Sequence, residues 1–318
     1  MTITLKKAVT THFHVYGDPT HTLTLRTAFA RAMGKRFKEL RKSVNIAIIN
    51  DDCFGLDKSG FLQVHQASGP GYRAFAFPRS ADKMSAFSNW FDEKVNTGIL
   101  EVHRGQQVGS AVENAWTNKY VKQGYERGIE RGRRELLNAG YNVPPLEATG
   151  GIWGAFNSPM HMDRVGVLYT RTFTGLKGIT AAMDKQISDV LGLGLAEGLG
   201  PRELARQLTR TIGSGLGMTD KLGRFIPAER RAKVLARTEI IRAHHEGTIQ
   251  EYENWRVEGV HVKAEWETAG DDRVCEECAT LEGSIFTLEE IRPMIPVHPM
   301  CRCVALPLDV TGKEKGRE

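Results

Sequence analysis

Five side chains that commonly bind metal ions are concentrated between positions 275 and 303. Cys275 and Cys278 form a C-x2-C pair, and His298, Cys301 and Cys303 lie at the far side of a 22-residue gap that separates Cys278 from Cys301. Two thiolates at this spacing on a tight turn reach one tetrahedral ion, and two pairs of ligands joined by a short strand resemble a zinc ribbon or knuckle. The sequence therefore predicts a structural zinc site formed by four of these five residues.

The spacing leaves the fourth ligand open. Either four cysteines bind the ion, or three cysteines bind it together with His298, so that His298 or Cys303 is left over. Alternate residues of an extended segment point to opposite faces, so joint ligation by Cys301 and Cys303 requires a local turn. Disulfide pairing and free thiols are the alternatives to a metal, but clustered cysteines in a chain without a secretory signal favour the metal. Cys53 stands apart, and we expect a small buried hydrophobic residue there.

The residues around this segment do not match a catalytic template. Four protein ligands leave no position for a reactive water. The zinc deaminase signature needs H-x-E and P-C-x-x-C, whereas Arg273-Val274 precede this C-x-x-C and His261-Val262-Lys263 lacks the glutamate.

His244-His245-Glu246 is not H-E-x-x-H, and we expect both histidines at the surface or half-buried. We expect Glu239 to form a helix-surface ion pair with Arg242.

No phosphate-binding loop, nucleophile elbow or convincing carboxylate pair is present in the sequence. The sequence therefore predicts a protein that is not an enzyme and takes no small-molecule substrate.

A stripe of basic residues on the first predicted helix is the second candidate for a functional site. Residues 1–50 contain nine Lys/Arg against two acidic residues, a charge of +7 in a chain whose net charge is +5. Apolar residues recur every three or four positions over 22–50, which predicts an amphipathic helix. Arg31, Lys35, Lys38 and Lys42 repeat on its opposite face. Such a stripe either follows a nucleic-acid backbone or is a solvated helix face, and no interleaved aromatic residue indicates base stacking.

The rest of the first half is predicted to be mainly helical. A short hairpin is expected from the segments 61–64 and 72–77, followed by helices over 80–96 and 106–138. The last helix has Gly124, Gly128 and Gly132 on one face, which indicates another helix packed very closely against it. Glycine and proline residues over 140–151 predict a linker. We place a domain boundary there, between a helical domain over 1–150 and a second domain over 151–310.

The second half reads as helices followed by a small sheet. Periodicity predicts helices over 176–191, 201–212 and 227–255, the second and third starting at proline. Alternation predicts strands over 260–268 and 284–287, which flank the cysteines within a Cys/His module over 260–307. Residues 311–318 form a charged tail. The predicted fold class is α+β and predominantly α-helical, with a helical N-terminal domain and a C-terminal domain that adds a small β-sheet and a zinc-knuckle-like module.

Composition agrees with a soluble globular protein of two domains, since 41% of the 318 residues are hydrophobic and 25% are charged. The first residues lack the apolar run of a secretory signal, and no stretch reaches the roughly 18 apolar residues of a membrane span. We therefore expect a protein that is made in the cytoplasm and does not contact a membrane.

The motifs of the second half resemble those of the phage head-morphogenesis family, whose type member is the minor head protein of phage Mu. The resemblance covers about residues 175–307, and no family motif matches the first 150 residues. It rests on an ordered set of motifs: Gly-Pro-Arg-Glu-Leu (200–204), Ala236-Arg237-Thr238-Glu239, Asp272-Arg273-Val274-Cys275-x2-Cys278, Leu281-x-Gly283 and His298-Pro299-x-Cys301-Arg302-Cys303.

The resemblance implies a minor structural protein of a tailed-phage capsid, needed for head assembly. Its expected location is the capsid interior near the portal vertex, after synthesis in the host cytoplasm. The implied partners are the portal protein, the major capsid or scaffold protein, and packaged double-stranded DNA. A zinc-containing nucleic-acid-binding protein without catalytic activity is the alternative.

Overall fold

The computed structural model describes residues 18–57, 73–103, 105–213, 218–219, 225–257 and 262–309. Within them the chain is mostly helical and carries a small antiparallel sheet near its C-terminal end. The helices are α1 (Leu23–Asn45), α2 (Ser80–Val95), α3 (Val108–Glu113), α4 (Asn118–Asn138), α5 (Gly151–Phe156), α6 (Pro159–Ala196), α7 (Pro201–Gly213), α8 (Ala228–Val257), α9 (Glu276–Leu281) and α10 (Leu288–Ile291). The strands are β1 (Met218–Thr219), β2 (Phe225–Ile226), β3 (Val262–Glu267), β4 (Ile285–Phe286) and β5 (Val304–Asp309).

Helix α8 lies at the centre of the helical layer and packs against α1, α4, α6 and α7. Its alanines at 232, 236 and 243 and its isoleucines at 240, 241 and 249 are buried. From 243 to 252 nearly every residue is buried, so this part of α8 is covered on most of its circumference. A helix covered in this way is an internal element rather than a surface helix. Strands β3 and β5 and helix α10, which lie near the cysteine segment, also contact α8.

Helices α4 and α8 touch through their backbones, as the glycine spacing predicts. A Cβ atom at Gly128 would lie 2.1 Å from the carbonyl oxygen of His244, and one at Gly247 would lie 2.3 Å from that of Tyr125. Gly124 and Gly132 extend the contact in both directions. The Thr248 hydroxyl lies 3.0 Å from the carbonyl oxygen of Gly128 and donates a hydrogen bond across the interface. Glycine is required here because no side chain fits between the two helices.

The helix predicted over 22–50 is confirmed, and it ends in a π-helical turn, Ile46–Asn50. The helix predicted over 80–96 is confirmed as α2, which also ends in a π-helical turn, Asn96–Leu100. The helix predicted over 106–138 is wrong in one respect, because residues 114–117 interrupt it. The Asn118 side-chain amide donates to the carbonyl oxygens of Val112 and Glu113, and these bonds satisfy the end of α3. Trp116 turns inward, and its indole N–H donates to Ile99.

The predicted hairpin lies partly outside the described residues, which omit 58–72. Its second segment is not a strand where it is described, because residues 73–75 form a turn. The backbone N–H of Phe75 donates to the carbonyl oxygen of Cys53 over 2.7 Å. The Phe75 ring packs between Phe54 and Phe87 in the core. Burial of the aromatic ring, rather than strand pairing, thus determines the conformation of this segment. Cys53 itself is buried, as expected.

The C-terminal sheet has the strand order β4-β3-β5, and both pairings are antiparallel. Strands β3 and β4 confirm the two predicted segments. Strand β5 was not predicted, and its proline, Pro307, is tolerated because β5 is an edge strand. The buried faces of β3 and β5 pack on α8, and Trp266 is fully buried there. The predicted tail, 311–318, lies outside the described residues.

The hydrophobic core continues across the predicted boundary near residue 150. One cluster of buried residues includes Phe29 and Phe37 of α1, Leu191 of α6 and Ala236 of α8. The predicted linker region is present as an irregular segment with one short 3-10 turn, Leu146–Thr149. The two halves of the chain are therefore packed together, and the domain boundary between residues 1–150 and 151–310 stays a prediction.

Candidate metal centre

The first pair of cysteines lies at the start of α9. Cys275 is the N-cap residue, and its sulfur accepts a hydrogen bond from the backbone N–H of Cys278 over 3.4 Å. The carbonyl oxygen of Cys275 accepts from the N–H of Ala279. This turn directs both sulfurs to the same side, and Cys278 is buried while Cys275 is half-buried. The two cysteines of the C-x2-C pair thus lie on a tight turn, as predicted from the sequence.

His298 and Cys301 form a second turn of the same length. The N–H of Cys301 donates to the carbonyl oxygen of His298 over 3.1 Å. Pro299 and Met300 occupy the two central positions, and Met300 has a positive φ of 67°. Proline followed by a residue with positive φ is the arrangement of a type II turn. The structure therefore contains two turns with ligand residues at their first and fourth positions, Cys275/Cys278 and His298/Cys301.

The His298 ring joins the two turns. Its Nδ1 lies 2.9 Å from the carbonyl oxygen of Pro299, a contact in which Nδ1–H donates. The Nε2 lone pair is then directed to the cysteines, 3.1 Å from the sulfur of Cys275 and 3.2 Å from that of Cys278. A histidine that binds a metal through one nitrogen usually donates its other N–H to such an acceptor.

The separation between the sulfurs of Cys278 and Cys301 fits a tetrahedral zinc ion, whereas His298 Nε2 lies closer to the sulfurs of Cys275 and Cys278 than ligands of one ion would. Zinc–sulfur and zinc–nitrogen bonds of ordinary length put neighbouring ligand sulfurs about 3.8 Å apart and a sulfur and a nitrogen about 3.6 Å apart. The sulfurs of Cys278 and Cys301 are 3.9 Å apart. Ligand atoms within 4.8 Å of one another form two groups that share Cys278, one with Cys275 and His298 and the other with Cys301 and Cys303. The structure thus places the five candidates in two groups of three that share Cys278, and among the described residues no single group contains four of them.

Cys303 differs from the other four donors in its surroundings. It lies just before β5, outside both turns, whereas Cys301, which belongs to the same group of ligand atoms, is the last residue of the His298/Cys301 turn. Its hydrogen bond to Cys301 lowers the pKa of the Cys301 thiol to about 5, against the opposing effect of burial. Burial raises the pKa of Cys278 to about 12. A divalent cation among these sulfurs would favour their thiolate forms by direct attraction.

An ion-pair clamp holds the two parts of the cysteine segment together. Arg302, between Cys301 and Cys303, contacts both carboxylate oxygens of Asp271, at 2.7 Å and 2.5 Å. Arg273 contacts the same carboxylate at 2.6 Å. Hydrogen bonds from these two arginines hold the pKa of Asp271 well below its ordinary value. The clamp was not predicted, although the position of Arg302 between two candidate ligands is a signal that the sequence contains.

The polar residues of α8 are more buried than their sequence suggested. His244 and His245 are only 2% and 3% exposed, so the expectation of surface or half-buried histidines is wrong. Burial lowers the pKa of His245 to about 3 and that of His244 well below its ordinary value. The close packing of α4 on α8 and the contact between His245 and the carbonyl oxygen of Ile291 explain this burial.

Glu239 forms the expected ion pair with Arg242, at 3.7 Å, but the pair is not on the surface. The carboxylate is buried and is also 3.3 Å from Arg171 of α6. Next to it, Thr238 contacts the turn of His298 and Cys301 through the backbone N–H of Met300. This role of Thr238 was not predicted from the sequence, although the residue lies within the Ala236–Glu239 motif.

The predicted basic stripe, Arg31, Lys35, Lys38 and Lys42, is exposed along the outer face of α1. The other three arginines of this helix have acidic partners: Arg26 pairs with Asp18, Arg36 with Glu101, and Arg41 with Glu229. The four stripe residues form no ion pair with the part of the chain that the structure describes. Their charges therefore face solvent.

Fold and site together define a helical protein whose small C-terminal sheet carries a Cys/His knuckle module. Residues 185–306, from within α6 to β5, match the family model of Phage Mu protein F like proteins. The resemblance predicted from the motifs is therefore confirmed for this segment, which includes all five candidate ligands. The match suggests a phage head-morphogenesis protein. No curated protein and no solved structure matches the chain. No helix in the described part of the chain is both long and apolar enough to cross a membrane.

Proposed function

We propose that this chain is a minor structural protein of a tailed-phage head that acts in head assembly near the portal. The single observation that carries this proposal is the family match over residues 185–306. Its partners are the portal protein and the major capsid or scaffold protein. The role is structural and non-enzymatic, in keeping with a metal module whose sulfurs are mostly buried.

The location is tested by imaging particles of the phage or prophage that encodes the chain. The expected result is density for the α4–α8 helix pair inside the head, in few copies, at the portal vertex. Particles that assemble normally and contain no copy of the chain would contradict the proposal.

The proposal includes a structural zinc ion bound by Cys275, Cys278, His298 and Cys301. Two observations support this set: the residues occupy equivalent positions of two turns, and His298 Nε2 contacts both C-x2-C sulfurs. When bound, zinc supplies a cross-link between the two turns and leaves no coordination position for a substrate. Cys303 remains a thiol that donates to Cys301.

A matched pair of variants tests the ligand set. Cys301 and Cys303 are both buried and stand two residues apart, so their replacement by serine perturbs packing to a similar degree. The purified protein is expected to contain about one zinc ion per chain by elemental analysis. Cys301→Ser is expected to lose the ion, and Cys303→Ser to keep it. If Cys303→Ser lost zinc and His298→Ala retained it, Cys303 rather than His298 would be the fourth ligand.

A contact with packaged DNA is the second candidate, and the charge pattern of α1 favours it. The stripe from Arg31 to Lys42 extends along about 17 Å of helix. Its neighbours Arg26, Arg36 and Arg41 are neutralised by acidic partners, which leaves the stripe as the charged face available to a polyanion. Counterion release gives such contacts a strong dependence on salt.

Charge reversal tests this contact. Replacing Arg31, Lys35, Lys38 and Lys42 by glutamate is expected to abolish the salt-dependent binding of the wild-type protein to double-stranded DNA. The control is a variant with the same number of exposed lysines and arginines reversed elsewhere, for example at Arg79, Lys119, Lys177 and Lys185. Equal losses in both variants would show a non-specific effect of net charge and would overturn the role of the stripe.

A further inference from the structure

Thr238 of α8 makes two hydrogen bonds with one hydroxyl group. The hydroxyl donates to the carbonyl oxygen of Val234, one turn earlier in the helix, over 2.8 Å. Because its proton is used there, its lone pairs are free to accept, and the backbone N–H of Met300 donates to it over 3.2 Å. Thr238 is thus a polar link between the central helix and the turn that carries His298 and Cys301.

The N–H that donates to Thr238 belongs to Met300, the third residue of that turn. Met300 has a φ of 67°, a conformation that non-glycine residues rarely adopt. A type II turn satisfies the N–H of its fourth residue, here Cys301, but not the N–H of its third. The Thr238 hydroxyl supplies that missing acceptor. The Met300 side chain is 43% exposed, so the backbone contact, rather than side-chain burial, ties this position to the helix.

Thr238 itself lies on a rigid part of α8. Thr238 lies one residue from buried Glu239 and two from buried Ala236, on a helix that is fixed on its other side by backbone contact with α4. The Cys275/Cys278 turn reaches the site by a separate route, through β3 and α9. The distance between the two turns therefore depends on how the His298/Cys301 turn is held on α8, in addition to the clamp between Asp271 and Arg302.

We propose that Thr238 is a positioning residue of the metal centre, which sets the His298/Cys301 turn at the separation from Cys275 and Cys278 that the ion requires. This inference rests on the zinc site of the proposed function. Thr238 touches no ligand atom; it acts through the backbone of Met300. It lowers the ordering cost of metal binding, because the turn is held in its binding conformation before the ion arrives.

The test compares metal binding by the full-length wild type with that of four variants, using Co²⁺ absorption and zinc competition against a chromophoric chelator. Thr238→Val and Thr238→Ala remove the acceptor, and alanine does so without a cost in helix propensity. Thr238→Ser keeps the hydroxyl. Thr209→Val is the matched control, because Thr209 is also half-buried and donates to the carbonyl oxygen four residues earlier, over 2.7 Å, without touching the turn.

Removal of the acceptor is expected to weaken zinc binding about 10- to 100-fold, the usual effect of losing a group that orients a ligand. The Co²⁺ spectrum is expected to change in Thr238→Val and Thr238→Ala, and to stay as in the wild type in Thr238→Ser and Thr209→Val. Wild-type affinity and spectrum in both acceptor-free variants would overturn the role of Thr238 and leave the zinc site standing. A wild-type protein that binds neither Co²⁺ nor Zn²⁺ would overturn the zinc site, and the role of Thr238 with it.

Discussion

At the scale of single residues, the candidate ligands of the cysteine segment differ in whether they lie within one of the two turns. Cys303 is as buried as its neighbours, yet it stands outside the turns that hold Cys275, Cys278, His298 and Cys301. The residue types and spacing were sufficient to predict all five candidates. They were not sufficient to choose among them, because spacing does not reveal the conformation of Met300 or the direction of the His298 ring.

Burial was the property of α8 that its sequence predicted least well. Two adjacent histidines on a helix are usually partly exposed. Both are buried here because α4 approaches α8 without intervening side chains and because His245 contacts the carbonyl oxygen of Ile291. Each histidine is neutral in the folded protein, since burial lowers its pKa. In the unfolded chain the pKa of histidine returns to about 6.5.

This difference predicts an acid-dependent loss of stability. Between pH 6.5 and pH 3, the unfolded chain binds a proton at His245 that the folded protein does not bind. The free energy of unfolding is therefore expected to fall as pH falls below 6.5, by about 1 kcal/mol per pH unit for this residue. His245→Gln keeps a donor for the carbonyl oxygen of Ile291 but does not titrate.

Denaturant unfolding at pH 5, 6 and 7 measures the effect as a difference between variant and wild type. The variant is expected to show a shallower pH dependence, by about 1 kcal/mol per unit. His103→Gln serves as the control, because His103 is exposed to solvent. Identical slopes in His245→Gln and the wild type would show that His245 is protonated equally in both states.

At the scale of elements, helices were predicted from periodicity with most of their ends correct. The helix predicted over 176–191 is wrong in extent, because α6 runs from Pro159 to Ala196. Two other departures have local causes. The gap between α3 and α4 depends on Asn118, which hydrogen-bonds to backbone carbonyl oxygens that a continuous helix would use. Strand β5 contains Pro307, which conceals its strand character in the sequence but is compatible with a sheet edge. Both features depend on tertiary neighbours that periodicity does not describe.

The glycine contact between α4 and α8 gives a prediction at this scale. Gly128→Ala puts a methyl group 2.1 Å from the carbonyl oxygen of His244, so the two helix backbones must separate. The expected loss in the free energy of unfolding is about 3 kcal/mol or more, measured by denaturant titration.

Gly166→Ala is the matched control, because Gly166 lies in the interior of α6 and a Cβ atom there would have no described atom within 4 Å. This change is expected to raise stability by up to about 1 kcal/mol through helix propensity alone. Equal effects of the two substitutions would show that propensity, rather than backbone contact, determines the outcome at Gly128.

At the scale of the whole molecule, the core does not follow the division suggested by the glycine- and proline-rich segment near residue 150. Helix α8 follows that segment, but it buries its apolar residues against α1 and α4, which precede it. A linker composition was recognisable in the sequence. The helix contacts across it were not, because they join residues more than 100 positions apart.

A fragment of residues 151–318 is therefore expected to lack a stable fold, since it exposes the surface of α8 that α1 and α4 cover. Thermal unfolding followed by circular dichroism is expected to show a broad, non-cooperative transition for the fragment. Co-expression with residues 1–150 is expected to restore the sharp transition of the full chain. A fragment that unfolds cooperatively alone would show that the two halves fold independently.

The backbone contact between α4 and α8 also has a mechanical consequence. Most helix pairs are separated by interlocking side chains, which yield under load by changing rotamers. Between Gly128 and His244 there is no such layer, so a force on one helix passes through peptide groups to the other. The pair therefore acts as a stiff unit over the length of the shorter helix, about 32 Å for the 21-residue α4. Because Thr238 lies on α8 and is hydrogen-bonded to Met300, a displacement of α4 also moves the His298/Cys301 turn.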